Sequence, residues 1–361
     1  MSADPGASAD TPAIDVVGDA VPGIHLHTVT AWLEANVDGA RGPFRFDVIA
    51  GGHSNLTYAV TGADGARFVL RRPPLGHRLA SAHDMGREHR IISALQPTDV
   101  PVAPALGFCD DPAVNDLPFY VMGFVEGHVL RDREAAEATL TVEARGAASD
   151  AIVDTLGAIH AVDLDAVGLS DLGKHDGYIA RQLRRWHGQI EAQRTRDLPE
   201  IDTIHAALSA RIPEQGPATI VHGDYRLDNC MLGDDGSIKA VLDWEICTLG
   251  DPLADVGLLL AYWSSAGDDA ASLLTSATLA PGFATRDELL ARYGATTGRD
   301  LSRIEFYVSF AYWKLACILE GVYSRYLGGA LGSRSPEELA PFVRQIDGAI
   351  ARSQEHLARL A

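Results

Sequence analysis

ATIVHGDYRLDNCMLGDDGSIKAVLDWE, residues 218–245, packs an imidazole, several carboxylates and an amide between short apolar runs. ATIVH, NCML and IKAVLD read as strands, and Asp235-Gly236 between the last two is a strong hairpin signal. The loop GDYRLD therefore hangs between the first strand and a rigid hairpin. In that hairpin Asn229 falls across from residue 242 or 243. A strict two-residue turn pairs it with Leu242 and sends Asp243 to the other face, so bringing the two together requires a bulge or a frayed strand end. Asn229 and Asp243 would then offer two hard oxygens, a set that suits a Mg²⁺ ion that keeps its waters and binds substrate phosphates. Asp224 on the loop is placed to accept a proton from a hydroxyl, and His222 at the strand end to tie the loop down. Base, metal ligands and rigid mount are what phosphoryl transfer requires. The same residue types also cap turns, so the rest of the chain has to decide.

A length of 361 residues exceeds what one core usually supports, and two lobes are expected. With 47% hydrophobic and 22% charged residues the chain is globular in composition. A net charge of −19, with no basic run beyond the interrupted one from Arg181 to Arg185, argues against nucleic acid as a partner. The four cysteines, Cys109, Cys230, Cys247 and Cys317, form no CxxC pair and read as reduced core thiols, without a zinc site. No segment reads as a secretion signal or membrane span, and no protein partner is implied, so a cytoplasmic protein acting on small molecules is expected.

Residues 1–25 are rich in Ala, Asp, Gly and Pro and read as a mobile leader. Residues 26–125 read as a β-rich lobe. FRFDVIA, NLTYAV and RFVLR alternate as strands, with a hairpin turn at 63–65, and ALGFC and FYVMGFV add two more. Between them SAHDMGREHRIISAL reads as one helix with Ser81 as N-cap and Met85, Glu88, Ile92 and Leu95 on one face. A carboxylate in that apolar stripe calls for a cation. Residues 126–361 turn helical, with faces at Ile152, Leu156 and Ile159, at Tyr178, Gln182 and Trp186, and at Phe306, Phe310, Trp313 and Cys317. Asp251 as N-cap and Pro252 as first residue begin a buried helix, with Asp255 one turn inside.

GGHSNLTY, VLRRPP, HGDYRLDN, LDWE and GDPLADVG together resemble the aminoglycoside phosphotransferase and choline kinase-like family, from about Phe44 to Tyr326. The branch most similar is the kinase domain of acyl-CoA dehydrogenase family members ten and eleven. The resemblance implies an α+β, two-lobed, protein-kinase-like fold: a small antiparallel β lobe with one helix, and a larger, mainly helical lobe carrying a catalytic β-hairpin. It implies that MgATP, or GTP in its place, binds between the lobes. Asp224 is then the catalytic aspartate, Asn229 and Asp243 the magnesium ligands, and Asp255 a support for the catalytic loop. Gly51, Gly52, His53 and Ser54 would lie over the phosphates, and Tyr120 to Met122 at the base. The usual phosphate-binding lysine is absent from the VLR strand. Arg71, bridging Glu88 and phosphate, takes its place, with Arg72 as the alternative. Tyr178, Gln182 and Trp186 are candidates for an acceptor pocket. The acceptor is a small-molecule hydroxyl, on either an aminoglycoside-like sugar or a hydroxyacyl metabolite. The rival expectation is a catalytically silent nucleotide-binding pseudokinase that regulates a partner.

Overall fold

The computed structural model describes residues 21–49, 55–75, 84–265, 267–268, 276–329 and 334–360. Most of the expected leader, the Gly51–Ser54 loop and Ser81 lie outside these residues. The chain divides into two compact units, Met1–Val125 and Glu126–Ala361.

In the first unit, β1 (Arg45–Val48), β2 (Leu56–Thr61), β3 (Arg67–Arg72), β4 (Ala105–Cys109) and β5 (Phe119–Gly123) form an antiparallel sheet in the order β1-β2-β3-β5-β4. Strand alternation puts Phe68 and Leu70 of β3 beside Val60 and Tyr58 of β2, and these four pack in one core with Val29 and Leu33 of helix α1 (Leu26–Asn36). The reading of one helix in this unit is therefore corrected: α1 precedes the sheet and α2 (Met85–Leu95) follows β3. LHTVTAWLEAN hides only Val29 and Leu33 and mixes in threonines and a valine, so its helical period is faint. Helix α2 buries Met85, Glu88, Ile91, Ile92 and Leu95 and packs on β4 and β5. Its N-cap is Asp84, not Ser81: the Asp84 side chain accepts from the Arg87 amide.

The second unit holds helices α3 (Arg133–Thr139), α4 (Val142–Ala161), α5 (Tyr178–Gln193), α6 (Pro199–Ser209), α7 (Leu253–Tyr262), α8 (Arg286–Thr297), α9 (Ile304–Leu327) and α10 (Pro336–Ala358). Helix α9 is its axis: it packs against α5, α6, α7 and α10, and Phe306, Phe310, Trp313 and Cys317 are all buried. Helix α7 approaches α9 closely because residue 257 is glycine; a Cβ there would lie 2.5 Å from the Tyr307 backbone. The start of α7 is one residue later than expected. Pro252 occupies the cap position, and the Asp251 carboxylate accepts from the Leu253 amide because proline has none to offer.

Two antiparallel strand pairs interrupt the helices: β6 (Thr219–Val221) with β9 (Thr248–Gly250), and β7 (Cys230–Leu232) with β8 (Ile238–Val241). In the second pair Cys230 faces Val241, the Leu242 amide bonds the Asn229 carbonyl at 2.8 Å, and the bulge lies at the turn end. The open end thus keeps the strict pairing of Asn229 with Leu242. Asp243 is turned by a left-handed backbone, φ 64° and ψ 61°, rather than by a bulge. Asn229 itself closes a 3₁₀ turn, Leu227–Asn229, instead of opening the strand.

Candidate active site

Strand β6 delivers His222 to the loop, and helices α7 and α4 of the same unit brace the peptides around it. The Asp255 carboxylate on α7 accepts from the His222 amide at 2.7 Å and from the Gly223 amide at 2.8 Å. Burial opposes ionisation of Asp255, yet the hydrogen bonds and charges from His160, the field of His222 and the Gly223 amide hold its pKa below the ordinary carboxylate value. His160 on α4 meets Asp255 at 3.5 Å through Nε2, while its Nδ1 faces the Tyr293 hydroxyl at 2.8 Å. Gly223 adopts φ +84°, and a Cβ there would press on Ile246 at 3.1 Å.

The His222 ring is fixed on both sides. Nε2 donates to the Leu242 carbonyl at 2.9 Å, which leaves Nδ1 to accept from the Asp224 amide at 3.3 Å. The imidazole therefore ties the loop to the open end of the β7–β8 hairpin and sits behind Asp224. The Asp224 carboxylate is partly exposed. Its Oδ2 accepts from Asn229 Nδ2 at 2.9 Å and lies 3.5 Å from Arg226 Nε. Asn229 Nδ2 also reaches the Asp224 carbonyl, at 2.8 Å. Arg226 is held by Asp228 at 2.9 Å and stands over the Tyr262 ring.

Both amide hydrogens of Asn229 serve Asp224, so its Oδ1 is the atom left to coordinate. The backbone pair Asn229–Leu242 puts Asp243 one residue from Asn229 across the hairpin. Asp243 is the one non-glycine residue with positive φ among those described, a conformation that concentrates at functional sites. An amide oxygen and a carboxylate are hard donors, and a set of this kind fits Mg²⁺.

In the first unit, Arg71 Nε lies 3.3 Å from Glu88 Oε2, so the buried carboxylate of α2 has the cation its apolar stripe calls for. Arg72 points to the other face, fully buried, donating to the Pro73 carbonyl and lying 3.6 Å from Asp116. Tyr120 is buried and pairs with Arg71 across β5 and β3; Met122 pairs with Val69. Tyr178 is buried at the start of α5, and Trp186 Nε1 donates to Gln182 Oε1 at 3.0 Å. The residues of this neighbourhood not singled out from the sequence are His160, Arg226 and Lys314. For Lys314 the signal was the same as for Glu88, a charge inside an apolar helical face. For His160 there was none, since its partners lie 95 and 133 residues away.

The sequence profile described as "Phosphotransferase enzyme family" matches residues 45–307. This chain belongs to that family. It is 35% identical over 312 residues to acyl-CoA dehydrogenase family member 10 of Mus musculus, covering 82% of this chain and 28% of the relative. It is 31% identical over 305 residues to acyl-CoA dehydrogenase family member 11 of Gallus gallus, covering 82% and 38%. The chain thus spans well under half the length of these relatives. A crystal structure of a candidate aminoglycoside phosphotransferase from Ralstonia eutropha JMP134 superposes with a TM-score of 0.79 at 32% identity, covering 92% of this chain and 98% of the other. The GDP and kanamycin complex of APH(2")-IIIa matches in fold, with a TM-score of 0.58 at 14% identity over 90% and 99% of the two chains. The fold is the α+β, protein-kinase-like fold of the aminoglycoside phosphotransferases.

Proposed function

We propose that this protein is a kinase that transfers the γ-phosphoryl group of MgATP to a hydroxyl of a small molecule. The observation that carries this reading is the mount of Asp224. A partly exposed carboxylate is held by an amide that also serves its carbonyl, on a loop clamped by Asp255 and tied by His222. Asp224 orients the acceptor hydroxyl and takes its proton. Asn229 and Asp243 hold Mg²⁺, which when bound neutralises phosphate charge. Arg71, steadied by Glu88, contacts the nucleotide phosphates together with Gly51, Gly52, His53 and Ser54, and the Tyr120–Met122 strand receives the base. Catalysis comes from position and charge, because a loose phosphoryl-transfer transition state needs little covalent help. The GDP of the APH(2")-IIIa complex supports a nucleotide here and keeps GTP as a donor to test beside ATP.

Two acceptor classes are carried into the test. Kanamycin in that complex favours an aminoglycoside-like sugar, and the relatives among acyl-CoA dehydrogenase family members favour a hydroxyacyl compound. ADP release is measured for the parent and for Asp224→Asn over a panel that includes one aminoglycoside and one hydroxyacyl-CoA. Turnover with at least one acceptor, falling about 10²- to 10⁴-fold in the variant, is expected. Equal, negligible turnover of both proteins with every acceptor would replace the kinase by a silent nucleotide-binding protein.

A further inference from the structure

Helix α9 is apolar through its middle, yet it carries Lys314 between Trp313 and Leu315, 7% exposed. The chain has 27 arginines and only three lysines, Lys174, Lys239 and Lys314, and the first two are exposed. A buried ammonium is costly unless well-placed acceptors meet it. Burial indeed lowers the pKa of Lys314, against the pull of Asp224 and Asp255 and with the push of Arg185. Its Nζ donates to the Gly223 carbonyl at 3.0 Å and faces the Trp186 ring at 5.8 Å.

Gly223 is the residue before Asp224, and both of its backbone polar groups end on buried charges. Its N–H meets the Asp255 carboxylate of α7, and its C=O meets the Lys314 ammonium of α9. The two successive peptide groups joined at Gly223, the second of which leads into Asp224, are thus gripped by opposite charges from two helices packed on each other. Lysine suits the place better than the arginine this chain otherwise favours, because a single carbonyl needs a compact point charge, not a planar fork.

We propose that Lys314 is a positioning residue for phosphoryl transfer: by fixing the Gly223 carbonyl it fixes the orientation of Asp224. This rests on the reading of Asp224 as the base. Lys314→Met keeps the stem and removes the charge, and Lys314→Ala leaves room for a small amine. Amide hydrogen exchange across residues 219–229 is followed in both, together with melting temperature, kcat and KM for MgATP. Losing one charged hydrogen bond is expected to speed exchange at His222 and Gly223 about ten- to a hundredfold in the Met variant. The kcat falls by a similar factor, KM stays put, and the melting temperature is unchanged or higher. Ethylammonium restores protection and kcat in Lys314→Ala and does nothing for Lys314→Met.

Unchanged exchange in a folded Met variant would overturn the proposal. So would loss of folding in that variant, or a parallel fall in stability and kcat that no amine rescues, since Lys314 would then be a packing residue. Exchange is read without nucleotide or acceptor, so it judges the grip on Gly223 even if Asp224→Asn were to leave turnover intact and so remove the base.

Discussion

Asp255 lies in the first turn of α7, and its two oxygens are shared between two successive amides of the loop. An asparagine there keeps one oxygen and turns an NH₂ donor towards an N–H donor. Asp255→Asn is therefore expected to cost about 1–3 kcal/mol of stability, the penalty of a buried donor left without an acceptor. Denaturant titration measures it, and a midpoint equal to that of the parent would show that the loop does not depend on this carboxylate. Local chemistry of this kind was only half legible in the sequence. Asp224, Asn229 and Glu88 stood out because each contradicts its neighbours within a few residues: a polar cluster between strands, a charge on an apolar face. The partners that give Asp255 its role are 33 and 95 residues away, and no pattern within a single window connects them.

At the scale of elements, the strands of both units other than β9 were readable because alternation, turn residues and length agree. Strand β9, three residues long and beyond the expected hairpin, carries no such pattern. Helix α1 was not, since two buried residues in eleven make a weak stripe. The left-handed turn at Asp243 also escaped, because strand pairing alone sends that side chain away from Asn229. The contact between α7 and α9 matters most for the loop, since these helices carry Asp255 and Lys314. Gly257 sets their separation, and Gly257→Ala places a methyl group 2.5 Å from the Tyr307 backbone, where no flexible side chain can give way. The substitution is expected to destabilise the protein by about 1–3 kcal/mol through overpacking and to speed amide exchange at His222 and Gly223. A fall in melting temperature without any change at those two amides would separate helix spacing from loop geometry.

For the whole molecule, the response to mild acid involves its buried and half-buried histidines. Burial lowers the pKa of His160, and the same cause lowers His89, His205 and His356. Each group is depressed in the folded state, so below the ordinary imidazole value of about 6.5 the unfolded chain takes up protons that the folded chain refuses. The stability these groups contribute is complete above that pH and declines as pH falls below it, by at most about 1.4 kcal/mol per pH unit for each group. Asp255, also depressed, keeps its contribution until the pH drops below about 4 and loses it as pH passes its own lower pKa. Melting temperatures between pH 7.5 and 5 are expected to fall for the parent and to fall less steeply for His160→Gln; parallel slopes would exclude His160 as a source. Among the described residues no helix is long and apolar enough to cross a membrane, and all four cysteines are buried without disulfides.

The imidazole behind Asp224 has a consequence for proton traffic. With one nitrogen donating to a carbonyl and the other accepting from an amide, His222 has no vacant site through which to relay a proton inward. Under the proposed role of Asp224 as base, a hydrogen ion captured by its carboxylate departs by its open side, straight into water or onto a product. Rates in mixtures of light and heavy water should then vary linearly with deuterium content, the signature of one proton in flight, and a curved plot would point to a chain of carriers.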